Sequence, residues 1–240
     1  MMNKKVLPVV FLAFAFFLIS NAISQELGLV EKFSKSNQLG LRLGAWSNLG
    51  ELPPTLLPNY GNSSADLETK FSDANFYFES FFGYRLNEQL MLELSLGISN
   101  RGSVTLSQFG STEVGSVIIY PILVQMKLYL LSMTDLRFQP YVFGGGGMYY
   151  GRRSTQISSS GYIFTNSTES KTDFHYAFGG GFDWPLSKSF AMDLNIKYMP
   201  ITFSKSFVAI NDYRGIGITV GFKYLYSFKK GDKDRKERIR

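Results

Sequence analysis

Hydrophobic and polar positions alternate with a period of two along most of the chain, the mark of strands with one apolar face. The clearest case is Tyr213 to Phe228, where Ile216, Ile218, Val220, Phe222, Tyr224, Tyr226 and Phe228 oppose Gly215, Gly217, Thr219, Gly221, Lys223, Leu225 and Ser227. The same division sets Leu90, Leu92, Leu94, Leu96 and Ile98 against Met91, Glu93, Ser95, Gly97 and Ser99. It recurs at 74–85, 174–184 and 190–199, and more weakly at 38–47, 116–131 and 138–151, which predicts eight strands. Long polar stretches near 48–73, 101–115, 152–172 and 202–212 alternate with the tight links 86–88, 132–135 and 186–188. Strict long-short order in seven connections predicts an even-stranded antiparallel up-and-down meander with both termini at the short-turn end.

Two closed barrels share that pattern and differ in polarity. A soluble, lipocalin-like barrel turns its apolar face inward around a ligand, whereas a transmembrane barrel turns it outward into lipid. The minority face decides between them. It carries Gly, Ser and Asn195 with Arg42, Glu79, Arg85, Glu93, Lys127, Asp183, Asp193, Lys197 and Lys223, five cations against four anions. Such a set can neutralise itself inside a lumen, while a water-facing surface would be denser in Lys, Glu and Thr. Aromatics also gather where strands end (Trp184, Tyr198, Tyr224, Tyr226, Phe228), as at a lipid–water boundary. The expectation is an all-β, eight-stranded antiparallel transmembrane β-barrel over 38–228, its lumen charges forming a paired plug because eight strands enclose only enough room for side chains. A narrow ion or small-solute channel along the same charges is the alternative.

The N-terminal run changes where this barrel is placed. Lys4 and Lys5 precede an apolar stretch from Val6 to Ile19, and Ala22-Ile23-Ser24 supplies small residues before Gln25, so 1–24 is expected to be a cleaved signal peptide. Residues 25–37 are then an N-terminal periplasmic segment, and Lys229–Arg240 a basic periplasmic tail with seven basic and three acidic residues. Together, Lys4, Lys5 and the tail account for the whole formal charge of +6 on the 240-residue chain, leaving a balanced body of sixteen basic and sixteen acidic residues. A nucleic-acid partner is therefore not expected, since that requires a basic face on the folded body. With no cysteine and a single histidine, disulfides, thiolate metal sites, a lipid-anchoring cysteine and a cysteine nucleophile are excluded, and neither a metal nor a cofactor is expected.

The final strand, Gly221-Phe222-Lys223-Tyr224-Leu225-Tyr226, resembles the C-terminal signal recognised by the barrel-assembly machinery, with Gly221, Tyr224, Tyr226 and Phe228 as its elements. The stretches 138–147 and 191–201 resemble strands of OmpW-type and related small outer-membrane barrels. That resemblance, over about residues 38–228, implies the outer membrane of a diderm bacterium, with membrane lipid and the assembly machinery as partners. It assigns no task, because such barrels include porin-like channels for small solutes and structural proteins. Many relatives end at the terminal aromatic, whereas this chain continues twelve residues beyond Phe228.

Remaining candidates are local. His175 is expected on the inner face near the outer mouth, bonded to Asp173; a lipid-modifying enzyme using His175 is the catalytic alternative, although the His-x-Ser pattern of lipid A deacylases is absent. The glycine runs 144–147 and 179–181 lack phosphate-loop spacing and are expected to mark bulges, bends or close packing beneath an aromatic. Loop 48–73, with Leu52-Pro53-Pro54 and Pro58, is expected to form an ordered lid or contact surface; loop 152–172, rich in Ser, Thr and Asn, is expected to be mobile. A small apolar ligand or a surface partner would engage these two loops. The expected role is a non-enzymatic structural or binding barrel, with passage of small, apolar solutes as a further expectation.

Overall fold

The computed structural model describes residues 29–51, 67–71, 74–106, 112–130, 138–159, 162–208 and 210–227. Eight strands carry the architecture: β1 (Asn37–Asn48), β3 (Ala74–Arg85), β4 (Leu90–Leu106), β5 (Thr112–Tyr129), β6 (Gln139–Ser159), β7 (Tyr162–Pro185), β8 (Phe190–Met199) and β11 (Gly215–Tyr226). Each pairs antiparallel with its neighbours along the chain, and β11 returns to β1 over a register from Asn37↔Tyr226 to Asn48↔Gly215, which closes the barrel. Closure gives each wall strand a neighbour on both sides over the ring where all eight run together, so the ladder there satisfies its own backbone donors and acceptors.

Three shorter strands lie at the long-loop end. β2 (Leu67–Phe71) extends the ladder of β4 from Leu67↔Leu106 to Phe71↔Gly102. β9 (Thr202–Phe207) and β10 (Ile210–Asp212) form a separate hairpin. Two of the tight links at the other end are set by side chains: Asn87 Oδ1 accepts from the backbone N–H of Gln89 and Leu90 at 2.9 and 2.8 Å, and Ser187 Oγ accepts from Phe190 N–H at 3.1 Å.

Which side chains face outward settles the polarity. Leu39, Leu41 and Leu43 are each more than half exposed, as are Phe76, Phe174 and Phe222, while Arg42, Glu79, Glu93 and Lys127 have no exposure at all. Apolar residues face out and charged ones face in, the arrangement for a barrel surrounded by lipid. Phe190, Tyr224 and Tyr226 line up on the outer wall near the short turns, with ring centroids of Phe190 and Tyr224 5.6 Å apart and of Tyr224 and Tyr226 6.3 Å apart.

Two features depart from the sequence expectation. Residues 152–159 and 162–172 are strand where a loop was expected: β6 and β7 remain paired from Arg152↔Ser170 to Ser159↔Tyr162. Beyond lipid both faces of a hairpin can be wet, so the ladder continues where the hydrophobic alternation that reveals a strand has stopped. Likewise much of 101–115 is strand, β4 running to Leu106 and β5 starting at Thr112. The second departure lies at the short-turn mouth, where residues within 25–37 form a helix, α1 (Leu29–Lys35), with Leu29 and Phe33 buried one turn apart. Phe33 meets the Tyr129 ring edge-on at 5.7 Å, Arg85 lies over both rings, and Arg85 Nη2 donates to the Phe33 carbonyl at 3.3 Å. Helix α1 thus stops the lower mouth. Phe33→Leu is expected to cost about 1 kcal/mol, through loss of the ring contacts in a volume-similar swap, read as a shift in the denaturant midpoint of the lipid-refolded barrel.

Candidate functional site

The lumen divides into three layers. The lowest packs Phe33, Met91, Tyr129, Tyr141, Phe143, Ala191 and Leu225 together. Two rings lie flat on the wall because the facing positions are glycines: a Cβ on Gly181 would sit 2.6 Å from Tyr141 Oη, and one on Gly179 would sit 2.7 Å from Phe143 Cζ. The glycine run at 179–181 therefore makes room for aromatic rings, a packing role with no phosphate-binding geometry.

Above it lies a buried ionic network. Arg42 sits on β1 with its Nε donating to Asp193 Oδ2 at 2.8 Å, Nη1 and Nη2 donating to the two oxygens of Glu93 at 2.9 and 3.0 Å, and Nη1 also donating to Glu79. Lys127 pairs with Glu93 at 2.5 Å, Lys197 donates to Glu79, and Lys223 donates to Asp183 Oδ1 at 2.5 Å while lying 3.3 Å from Asp193. Asp183 and Asp193 stand directly opposite on β7 and β8, a like-charge pair that Lys223 bridges. Four cations face four anions, all buried. The register creates this balance: Arg42 is opposite both Glu79 and Gly221, and a Cβ on Gly221 would fall 1.9 Å from Asp193 Oδ1. Polar neighbours complete the layer, with Tyr77 donating to Glu79 at 2.6 Å, Tyr129 donating to Asp183 at 2.7 Å and Asn195 Nδ2 donating to Tyr141 Oη at 3.0 Å.

The third layer closes the upper mouth. Trp46, Tyr77, Val117, Ile119, Tyr149 and Met199 of the wall form one apolar cluster with Ile201, Phe203, Phe207, Val208, Ile210 and Tyr213. The β9–β10 hairpin therefore turns its apolar residues into the barrel. Tyr213 Oη donates to the Phe207 carbonyl at 2.5 Å, and Val208 adopts φ 53° while 1% exposed.

Of the residues singled out from sequence, Arg42, Glu79, Glu93, Lys127, Asp183, Asp193, Lys197 and Lys223 come together in the central layer, with Asn195 beside it. Arg85 does not join them; it lies with Phe33 and Tyr129 at the lower mouth. His175 is not bonded to Asp173. Its Nε2 meets the carbonyl of Thr202, while Asp173 Oδ2 accepts from the backbone N–H of Ser204 at 2.6 Å. Two adjacent inward positions on β7 thus clasp successive positions of β9, a contact invisible to a reading that knew only the two residues' spacing. Gly221, Tyr224 and Tyr226 lie on β11, whereas Phe228, the signal segment, the basic tail and Leu52–Tyr60 fall outside the described residues. Sequence reasoning missed α1, Trp46, Arg101 and the inward turn of 201–213; only the Leu29/Phe33 spacing and the aromatic content of 203–213 hinted at them.

No helix among the described residues is long and apolar enough to cross a membrane, and no group of three or more acidic or histidine side chains among them could hold a metal ion. A shallow apolar groove of about 410 Å³ on the outer wall, lined by Leu130, Phe178, Gly180, Phe182, Leu194 and Tyr198 among others, opens to the surrounding lipid.

The fold is similar to that of the outer membrane protein OprG from Pseudomonas aeruginosa, at 17% identity over 81% of this chain and 98% of that one with a TM-score of 0.52. It is also similar to Neisserial surface protein A (NspA), at 12% identity over 80% of this chain and 97% of that one with a TM-score of 0.51. No curated protein sequence matches the chain. The profile of one family, described as outer membrane protein beta-barrel domain, matches residues 32–225, which contain seven of the wall strands whole and the last one up to Leu225. With its apolar wall, its ionic lumen and this match, the chain belongs to the outer membrane protein beta-barrel domain family.

Proposed function

We propose that this protein is a closed, non-enzymatic envelope barrel that works through its upper mouth, with no continuous aqueous path through its lumen. The observation carrying this reading is the complete burial of the central ionic layer between two stoppers, α1 below and the β9–β10 hairpin above. A conducting path needs hydrated charges, and here each carboxylate of that layer is within ion-pair distance of a cation. The charges named from sequence then act as the plug: they hold register and exclude water, and contribute little net stability over an apolar filling. His175 and Asp173 serve as struts for β9, using the polar atoms an acyl-transfer mechanism would need free. In this reading residues 1–24 direct export and are removed, and Gly221, Tyr224, Tyr226 and Phe228 address the chain to the barrel-assembly machinery. The termini then lie in the periplasm, α1 covers the periplasmic mouth, and the basic tail is solvated.

Planar-bilayer recording of refolded protein that shows the heat-dependent gel shift of a closed barrel tests this. No discrete conductance steps are expected. Resolved steps whose ion preference changes in Lys223→Glu or Glu93→Lys would overturn the closed lumen and establish the narrow channel.

A further inference from the structure

Three buried arginines, Arg85, Arg101 and Arg153, take no part in the ionic network; Arg85 lies over two rings at the lower mouth and Arg153 lies 3.8 Å from Glu169. Arg101, on β4 near the upper mouth, has no exposure, and its guanidinium stacks 3.9 Å above the Trp46 ring. Its Nη1 donates to Asn48 Oδ1 at 2.7 Å, and Asn48 also accepts from Trp46 Nε1 at 3.1 Å. Nε and Nη2 have no acceptor among the described residues, and no carboxylate lies within ion-pair distance of Arg101 there. The remaining pair is informative. Nε–H and Nη2–H point the same way along one side of the guanidinium plane, the fork that grips a carboxylate with two parallel hydrogen bonds.

An uncompensated buried charge is costly, and a barrel that pairs four cations with four anions a few residues away can evidently satisfy such a charge. We infer that Arg101 is the anion-binding group of a ligand site in the upper mouth, and that its ligand is a small organic monocarboxylate with an apolar body. Charge selects the monoanion: one guanidinium neutralises one negative charge, and a dianion would leave an excess charge among apolar walls. Nearby Arg153 is itself buried and lies 3.8 Å from Glu169. The walls select the apolar body, since Trp46, Tyr77, Tyr149, Phe203, Phe207 and Tyr213 surround this level of the lumen.

The β9–β10 hairpin closes the site. Its internal ladder has two paired positions with a register shift between them, and it is a sheet separate from the barrel. Lifting it breaks the Asp173–Ser204 and His175–Thr202 contacts, the Glu51 N–H to Asp212 carbonyl bond and the apolar packing of Phe203, Phe207 and Ile210, and leaves all eight wall strands paired. The inference deepens the proposed mouth function and rests on it, but its test reads binding and not conductance, so either can fail alone.

Tryptophan fluorescence provides the readout, because Arg101 stacks on Trp46, one of two tryptophans in the chain. Refolded full-length protein in a zwitterionic detergent is titrated at neutral pH with phenylacetate, with 2-phenylethanol as its neutral counterpart and with inorganic phosphate. Saturable quenching by phenylacetate is expected, with the alcohol and phosphate each at least tenfold weaker. Arg101→Gln should weaken phenylacetate at least tenfold, and Arg101→Lys several-fold, because an ammonium keeps the charge and loses the fork. Equal binding of acid and alcohol by the unaltered protein, tighter binding of phosphate, unchanged affinity in a folded Arg101→Gln variant, or no saturable signal would each overturn the assignment. In the last case the fork is satisfied by water alone.

Discussion

Arg42→Met is expected to destabilise the refolded barrel by about 3–5 kcal/mol, the usual penalty for removing one partner of a buried ionic cluster, measured as a loss in the free energy of denaturant unfolding in lipid. The cause is asymmetry. Arg42 alone touches Glu79, Glu93 and Asp193, engaging Glu93 through two nitrogens. Without it the three lysines Lys127, Lys197 and Lys223 must serve four buried carboxylates, leaving one negative charge in excess, with Asp183 and Asp193 sharing Lys223 away from water. Methionine fills much of the volume, so the loss reports charge and hydrogen bonding more than a cavity. Arg42→Lys should recover only part of the loss, because an ammonium cannot reproduce the planar fork on Glu93. Adding Glu93→Gln to Arg42→Met removes the surplus charge and should restore at least about 1 kcal/mol, a non-additivity that identifies the two as one network. An Arg42→Met barrel within about 0.5 kcal/mol of the parent would mean that water reaches the central layer.

On the opposite face, Leu96→Arg is expected to cost about 2–4 kcal/mol in a lipid bilayer, the range for a basic residue on the lipid face near the midplane of a barrel. Leu96 is half exposed, near the middle of the apolar part of β4, and its neighbours Ser95 and Glu93 turn inward. The same substitution at Leu49, just past the end of β1 and equally exposed, should cost only about 0–1 kcal/mol because the guanidinium then reaches water. Unfolding midpoints of both variants in vesicles of one composition give the comparison. A depth-independent effect would contradict a hydrocarbon belt around Leu96, since in water neither leucine is special.

These expectations differ in what made them legible. The period of two, the long-short sequence of connections and the glycine-rich, charge-balanced minority face were enough to derive eight strands, closure and polarity from residue order. Each depends on nearest neighbours along one strand: a strand in lipid must alternate, and no partner needs to be known for that alternation to show. The same local logic identified the lumen charges, because an ionisable residue placed between leucines of a lipid-facing strand has only the interior to face.

Who pairs with whom was decided by the closed sheet. Arg42 meets Glu79 through the β1–β3 register and Asp193 across β11, 151 positions away in sequence, and a shift of one residue in either ladder would dissolve the cluster. Arg85 and His175 have the same inward parity, yet height along the barrel axis separates Arg85 from the other cations, and a hairpin folding back from 202–212 takes His175 away from Asp173. The stoppers were out of reach for a further reason. Helix α1 has seven residues and β9–β10 is short, so neither carries enough period to announce itself, and both are held by long-range apolar contacts inside the lumen. Residue order determines a barrel with a polar interior because alternation is local. Only the tertiary structure decides which charges pair, that both mouths are stopped and that Arg101 is left outside the ion pairs, because pairing and stoppering depend on register and on contacts between distant segments.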